Sequence, residues 1–180
     1  MREENSIYIF DTNIFLTGID FNVIEGSIYT TPSIIEEVKA IRYKEKNRNI
    51  INKINAAIET RKLIIENPKK EFLRKISEIS KKTGDFNALS DTDKGLVALT
   101  LELKEKKSVP LKIYSNDYSI ENLCSELEIP FSPLYKNGIE IKIIWEIFCP
   151  YCNKVYTTEE LNKICDICGS KLKRRPKNNI

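Results

Sequence analysis

No histidine occurs anywhere in the 180 residues of this chain. That absence excludes a Ser-His-Asp or Cys-His nucleophilic site, cleavage of RNA by histidine acid–base pairs, and any imidazole metal ligand. Long apolar runs are missing as well: nothing approaches the roughly 20 residues that a membrane span needs. The polar start Met1–Ser6 runs straight into a strand-like segment and is not a secretory leader. A cytoplasmic protein with no membrane partner is therefore expected. Internal repeats are absent, and so is any surplus charge over residues 1–137, which hold 21 Lys and Arg against 21 Asp and Glu. Residues 138–180 hold 8 against 5, so the net charge of +3 lies wholly at the C-terminal end. Whatever chemistry the chain performs must run on carboxylates, thiolates or metals.

What is present describes an ordinary folded protein. Hydrophobic residues make up 41% and charged ones 31%, and the length suffices for one full core and a small appendage. Apolar, β-branched runs at Ile7–Phe10, Ile28–Thr30, Leu63–Ile65 and Leu111–Tyr114 predict short buried strands. Between and after them, helical spacing covers Ser33–Arg42, Ile50–Arg61, Glu71–Lys82, Asp91–Lys104 and Ile120–Leu127. This alternation predicts an α/β domain over residues 1–137, with a mostly parallel sheet between helices on both faces. Arg42–Arg61 is rich in Lys, Arg and Asn and reads as a solvated helical excursion or a lobe over the sheet edge. Gly138–Phe148 alternates apolar and polar residues and reads as a connecting strand or hairpin.

Four of the five cysteines form the pattern C-x2-C-x12-C-x2-C, at Cys149, Cys152, Cys165 and Cys168. Each C-x2-C turn aims two thiolates at one ion, and two such turns at this separation make a tetrahedral site for one zinc. Redox pairs or an iron site with the same ligands are the alternatives. A segment of this size cannot bury enough apolar surface to fold alone, so the metal would be structural, holding a ribbon over residues 149–170. Cys124, between Leu123 and Leu127 on a helical face, reads as a small buried hydrophobe. The last segment, 171–180, begins KLKRR and reads as a basic tail, either solvated or in contact with nucleic acid through Lys171, Lys173, Arg174 and Arg175.

Acidic residues recur where strands end or helices begin. Asp11 follows the first strand in IYIFDTNIFL. Glu36 and Glu37 lie in TTPSIIEEVKA, Asp91 and Asp93 in ALSDTDKGLVAL, and Asp117 follows the strand LKIYS. In open α/β sheets the carboxyl edge is where ligands bind, so Asp11 and Asp117 would emerge together there. Asp93 would occupy a first helical turn, where the macrodipole favours an anion. Singly, each acid reads equally well as a helix cap or a wet surface group. Three or four carboxylates within ~4 Å would repel by several kcal/mol, so such a cluster needs either a cation or protonation. Mg²⁺ or Mn²⁺ is the natural occupant, and it can activate water against a phosphodiester.

The segments FDTNIFL, PSIIEEV, Ser90-x-x-Asp93 and Ser115-Asn116-Asp117 resemble the successive acidic motifs of PIN-domain nucleases. The run SKKTGDFNALSDTD, together with NDYSIENL ahead of the CPYC and CDIC pairs, narrows the resemblance. In that order they are similar to the PIN endonucleases with a zinc ribbon that cut precursor small-subunit ribosomal RNA at its mature 3′ end. The match runs over nearly the whole chain and lacks the long insertion of the eukaryotic members. The resemblance implies a three-layer αβα PIN domain with a zinc ribbon, and a metal-dependent endoribonuclease that leaves a 5′-phosphate and a 3′-hydroxyl. Asp11, Glu37, Asp93 and Asp117 then fall on the catalytic, Mg- or Mn-binding positions; Glu37 is preferred to Glu36 because it directly precedes the aliphatic Val38. Ser90, Asp91, Ser115 and Asn116 would support those ligands or orient water. The implied partners are precursor small-subunit rRNA and the pre-ribosomal particle. A non-catalytic RNA-binding assembly factor and a toxin-type PIN ribonuclease are the competing readings.

Overall fold

The computed structural model describes residues 6–40, 48–133 and 144–177. The first strand, β1 (Ile7–Phe10), is built of β-branched and aromatic residues and is almost wholly buried. It runs between β2 (Ser27–Thr30) and β4 (Leu111–Tyr114), parallel to both, with Ile9 opposite Tyr29 and Ile113. On the outer sides lie β3 (Leu63–Ile65), paired with β2, and β5 (Phe131–Ser132), paired with β4. The result is a five-stranded parallel sheet in the order β3-β2-β1-β4-β5. The chain winds outward from β1 to β3, then crosses back over β1 to β4. Right-handed crossovers in opposite directions place helices on both faces and open a crevice at the carboxyl ends of β1 and β4.

The helices follow the predicted order with adjusted ends. A short turn, α1 (Thr12–Phe15), follows β1, and α2 (Pro32–Lys39) follows β2, starting with Pro32 in the first turn where its missing N–H costs nothing. The basic segment after it is α3 (Arg48–Glu59), whose Ile54 and Ala57 are buried, so this stretch packs on the domain instead of standing off it as an excursion. Its beginning, residues 42–47, lies outside the described residues. Helix α4 (Lys70–Thr83) and helix α5 (Asp91–Lys106) precede β4, and α6 (Tyr118–Glu126) connects β4 to β5. From Leu96 to Leu103 every residue of α5 is buried, so this helix is clothed on nearly all sides. The core it joins includes Ile9, Ile14, Phe15, Ile34, Ile76 and Cys124. Burial pushes the Cys124 thiol far up, which agrees with its reading as an inert apolar group.

The C-terminal part departs from the expected strand, ribbon and tail. A three-stranded antiparallel sheet, β7-β6-β8, is formed by β6 (Trp145–Phe148), β7 (Val155–Tyr156) and β8 (Lys173–Pro176). The strand that was expected only to connect is thus the central strand of the cysteine module. Half of the expected basic tail is its edge, with Phe148 opposite Lys173 and Trp145 opposite Pro176. Residues 138–143 of the predicted connecting strand lie outside the described residues. The module's own core is only Ile147, Cys149, Cys165 and Leu172, with a few half-buried neighbours. Gly84 ends α4 in the left-handed region at φ +85°. A Cβ there would lie 2.6 Å from the Trp145 carbonyl oxygen, so glycine both ends the helix and lets the module approach it.

Candidate active site

Asp11 caps α1 from the end of β1, accepting hydrogen bonds from the Thr12 amide at 2.6 Å and the Ser115 hydroxyl at 2.8 Å. Ser115 reaches it because the parallel register sets Phe10 opposite Tyr114, making the next residues neighbours across the strand ends. The Ser115 oxygen in turn accepts from the Asp117 amide at 3.0 Å. One hydroxyl therefore ties together the two acids that leave β1 and β4. Asp117 caps α6, its carboxylate accepting from the Ser119 amide at 2.6 Å.

Glu37 comes to this edge from α2. Its carboxylate accepts from the Thr12 hydroxyl at 2.6 Å, one residue from Asp11, whereas Glu36 is exposed. The buried Val38 fixes this: the next residue of α2 faces the core, which turns Glu37 along its flank and Glu36 outward. Asp93 belongs to a reciprocal capping box at the start of α5. Its carboxylate accepts from the Ser90 amide at 2.9 Å and hydroxyl at 2.7 Å, and the Ser90 oxygen accepts from the Asp93 amide at 3.1 Å. Asp91 projects into solvent beside Lys94, at 3.4 Å, and does not join the group. Asn116 is half-buried between Ser115 and Asp117. Thr12, which links Asp11 to Glu37, escaped the sequence reading. The DTN motif itself carried the signal, a hydroxyl directly after the strand-ending acid.

The four acids feel one another. Burial, opposed by the Ser115 hydrogen bond and reinforced by the charges of Asp93 and Asp117, pushes the Asp11 carboxyl up to about 6 from an ordinary 3.8. Burial also raises Asp93, with the charges of Asp117 and Glu37 adding to the shift after its Ser90 hydrogen bonds oppose it. Spacing corrects the expected ~4 Å cluster: among the described residues only the cysteines bring three or more candidate ligand atoms within 4.8 Å of one another. Asp11, Asp93 and Asp117 are each held by a capping contact and Glu37 by the Thr12 hydroxyl, and separation answers much of the repulsion. An all-oxygen donor set, with its central acid lifted toward neutrality by burial and like charge, has the chemistry that a hard divalent cation relieves. Glu37→Gln should therefore cost far more activity than Glu36→Gln, on the order of 10²-fold against less than a few-fold. Steady-state cleavage rates of the two variants test this, and equal losses would remove Glu37 from the site.

The second cluster is formed by thiols. Cys149, Cys152, Cys165 and Cys168 bring their sulfurs within 4.8 Å of one another, with Cys149 and Cys168 at 3.3 Å and Cys152 and Cys165 at 3.6 Å. A tetrahedral ion with metal–sulfur bonds near 2.3 Å spaces its sulfurs by roughly 3.8 Å, so the donor set suits zinc. At Cys165 burial disfavours the thiolate, but hydrogen bonds from the Tyr156 hydroxyl and from backbone amides outweigh it and bring the group down to about 6.

The predicted basic contacts divide. Lys171 and Lys173 are exposed. Arg175 pairs with Glu146 at 2.7 Å and lies 4.3 Å over the Phe148 ring, on its own sheet. Arg174 turns inward to the α/β domain, pairing with the fully buried Asp85 at 3.1 Å.

Residues 8–103 match the family described as "PIN domain of ribonuclease". Endoribonuclease Nob1 of Methanocaldococcus jannaschii is 32% identical over 169 residues, covering 94% of this chain and 77% of that protein. The chain belongs to the Nob1 family of PIN-domain endoribonucleases. Similarity within and around the Nob1 family also reaches a protein named ribonuclease VapC1 in Thermoplasma acidophilum, 33% identical over 93% of this chain and 77% of that one. The fission yeast protein named 20S-pre-rRNA D-site endonuclease nob1 is 37% identical over 78 residues, 43% of this chain and 18% of its own length. Among the described residues no helix is long and apolar enough to cross a membrane.

Proposed function

We propose that this Nob1-family chain is a Mg²⁺- or Mn²⁺-dependent endoribonuclease that cuts precursor small-subunit rRNA at its mature 3′ end, acting on the pre-ribosomal particle. The observation that carries this reading is the convergence of Asp11, Glu37, Asp93 and Asp117 on one sheet edge, where Asp11 is pushed to about 6 by burial and by its acidic neighbours. The D-site named for the fission yeast relative supports the substrate class.

Asp11, Glu37, Asp93 and Asp117 would hold the divalent cation, which when bound lowers the pKa of water and neutralises phosphate charge. Ser115 holds Asp11 and the Asp117 backbone in one frame, and Thr12 holds Glu37 against it. Ser90 holds Asp93 through two hydrogen bonds. These contacts hold each of the four carboxylates at the sheet edge. In-line attack of water on phosphorus leaves a 5′-phosphate and a 3′-hydroxyl, and no histidine is needed to shuttle the proton. The cysteine module, holding one structural zinc, presents Lys171 and Lys173 to the RNA backbone. Arg174 and Arg175 are engaged within the protein and contribute less to that contact than the sequence alone predicts.

Cleavage of a precursor transcript spanning the small-subunit 3′ end tests the reading. Mn²⁺ should give a discrete cut with 5′-phosphate products, and EDTA should abolish it. Cleavage that persists in EDTA, or products with cyclic phosphates, would overturn the mechanism, and RNA binding without cleavage in any divalent metal would favour an assembly factor. A cut outside the 3′-end region would overturn the substrate. Replacing Lys171 and Lys173 with Ala should reduce the slope of log K against log salt by up to about 1.4, at ~0.7 per phosphate contact with single-stranded RNA.

A further inference from the structure

The run Thr83-Gly84-Asp85 contributes no carboxylate to the acidic edge, yet Asp85 is 0% exposed. Its carboxylate accepts from the Asn122 side-chain amide of α6 at 2.7 Å through one oxygen, and from the Arg174 guanidinium of β8 at 3.1 Å through the other. The same guanidinium donates to the Ser119 hydroxyl at 3.2 Å and stacks 4.4 Å from the Trp145 ring. Ser119 lies in the first turn of α6, and its amide is the one that caps against Asp117 at 2.6 Å. A continuous chain of contacts thus leads from the edge strand of the cysteine module, through Arg174 and Ser119, to Asp117, and from there through Ser115 to Asp11.

We propose that Arg174 is a positioning residue for the nuclease site: carried by the cysteine module, it clamps the first turn of α6 against Asp85 and so sets the placement of Asp117. This rests on the reading of Asp117 as a ligand of the divalent cation. Guanidinium chemistry suits the task, because a planar fork can serve a carboxylate and a hydroxyl together while its face lies on an aromatic ring. Gly84 is part of the same joint, since only a residue without Cβ admits Trp145 at this distance. The cysteine module then has a second role beside RNA contact. By holding β8 in register with β6, it keeps Arg174 at the α/β domain, and loss of its metal would be felt at the acidic edge some elements away.

Three measurements on the full-length protein separate this role from the alternatives. Mn²⁺ binding, followed by isothermal titration without RNA, should weaken roughly tenfold in Arg174→Ala, the size usual when a group supporting a metal ligand is lost. Cleavage of a short RNA should lose turnover by a similar factor with KM little changed. Amide exchange over residues 117–121 of zinc-loaded protein without Mn²⁺ should accelerate in that variant, while exchange in β1 and β2 stays as in the parent. Arg174→Lys keeps the charge facing Asp85 but cannot serve Ser119 in the same fork, so it should restore thermal stability without restoring Mn²⁺ affinity. Unchanged Mn²⁺ binding and α6 exchange in Arg174→Ala would overturn the proposal, and a raised KM with unchanged turnover would assign Arg174 to RNA contact instead. A parent protein that binds no Mn²⁺ and cleaves nothing would overturn the nuclease reading itself, and the proposal with it. Arg174→Ala behaving as the parent while the parent binds and cleaves would overturn the proposal alone.

Discussion

Asp11→Asn should abolish cleavage while leaving RNA affinity within a few-fold, and in chelator it should make the protein more stable at neutral pH. The loss of activity follows from removing a carboxylate of the proposed metal site without touching the basic surface. The gain in stability follows from linkage. The folded-state carboxyl is pushed up to about 6 by burial against an ordinary 3.8, so the folded state binds its proton more tightly than the unfolded chain does. Ionising it in the folded protein costs roughly 3 kcal/mol above pH 6, nothing below the unfolded pKa, and an intermediate amount between. Asparagine removes that cost but offers one acceptor oxygen where Asp11 receives both the Thr12 amide and the Ser115 hydroxyl, a loss of about 1 kcal/mol. The variant should therefore be more stable by about 2 kcal/mol at pH 7.5, lose that advantage as pH falls through 6, and be slightly less stable than the parent near pH 3.5. Urea unfolding across this range in EDTA measures it. Cleavage retained by Asp11→Asn would remove Asp11 from the site, and equal stabilities at pH 7.5 would mean that Asp11 bears no such strain.

Cys165→Ser should unfold the C-terminal sheet and leave the α/β domain standing. The module buries only Ile147, Cys149, Cys165 and Leu172 as its core, far too little apolar surface to offset the ordering of its residues. Metal binding to the four thiolates, worth on the order of 10 kcal/mol, would supply the missing folding free energy. Cys165 is chosen because the Tyr156 hydroxyl, at 2.9 Å, and the Ile167 amide, at 3.4 Å, are already aimed at its sulfur. The parent should hold one zinc per chain, and the variant should lose it together with amide protection in β6, β7 and β8. Protection in β1, β2 and β4 should persist, since their core holds none of the four clustered cysteines. Absence of zinc from the parent, or a Cys149–Cys152 disulfide in freshly purified protein, would favour the redox reading of the two pairs.

Much of this molecule is legible from local pattern. The strands β1 to β4 appear where β-branched runs predict them, because a strand buried on both faces needs an unbroken apolar run. The cysteine spacing specifies its cluster because both turns are local, and the strands flanking them pair to bring the two turns together. Asp11 and Asp117 could be placed on one edge because parallel strands joined by crossovers end on the same side. Three features were decided only by the tertiary structure. The expected close carboxylate cluster opened out because Asp11, Asp93 and Asp117 each took a capping contact and Glu37 took the Thr12 hydroxyl, partners that sequence spacing does not locate. Lys173–Pro176 became a strand although KRRP carries no apolar residue to mark one, since backbone pairing with β6 and the contacts of Arg174 and Arg175 hold it there. Arg174 meets Asp85 across 89 positions of sequence. Charge composition can count such residues, but only the packing of the module beside Gly84 determines that Arg174 is taken into the protein while Lys171 and Lys173 stay exposed.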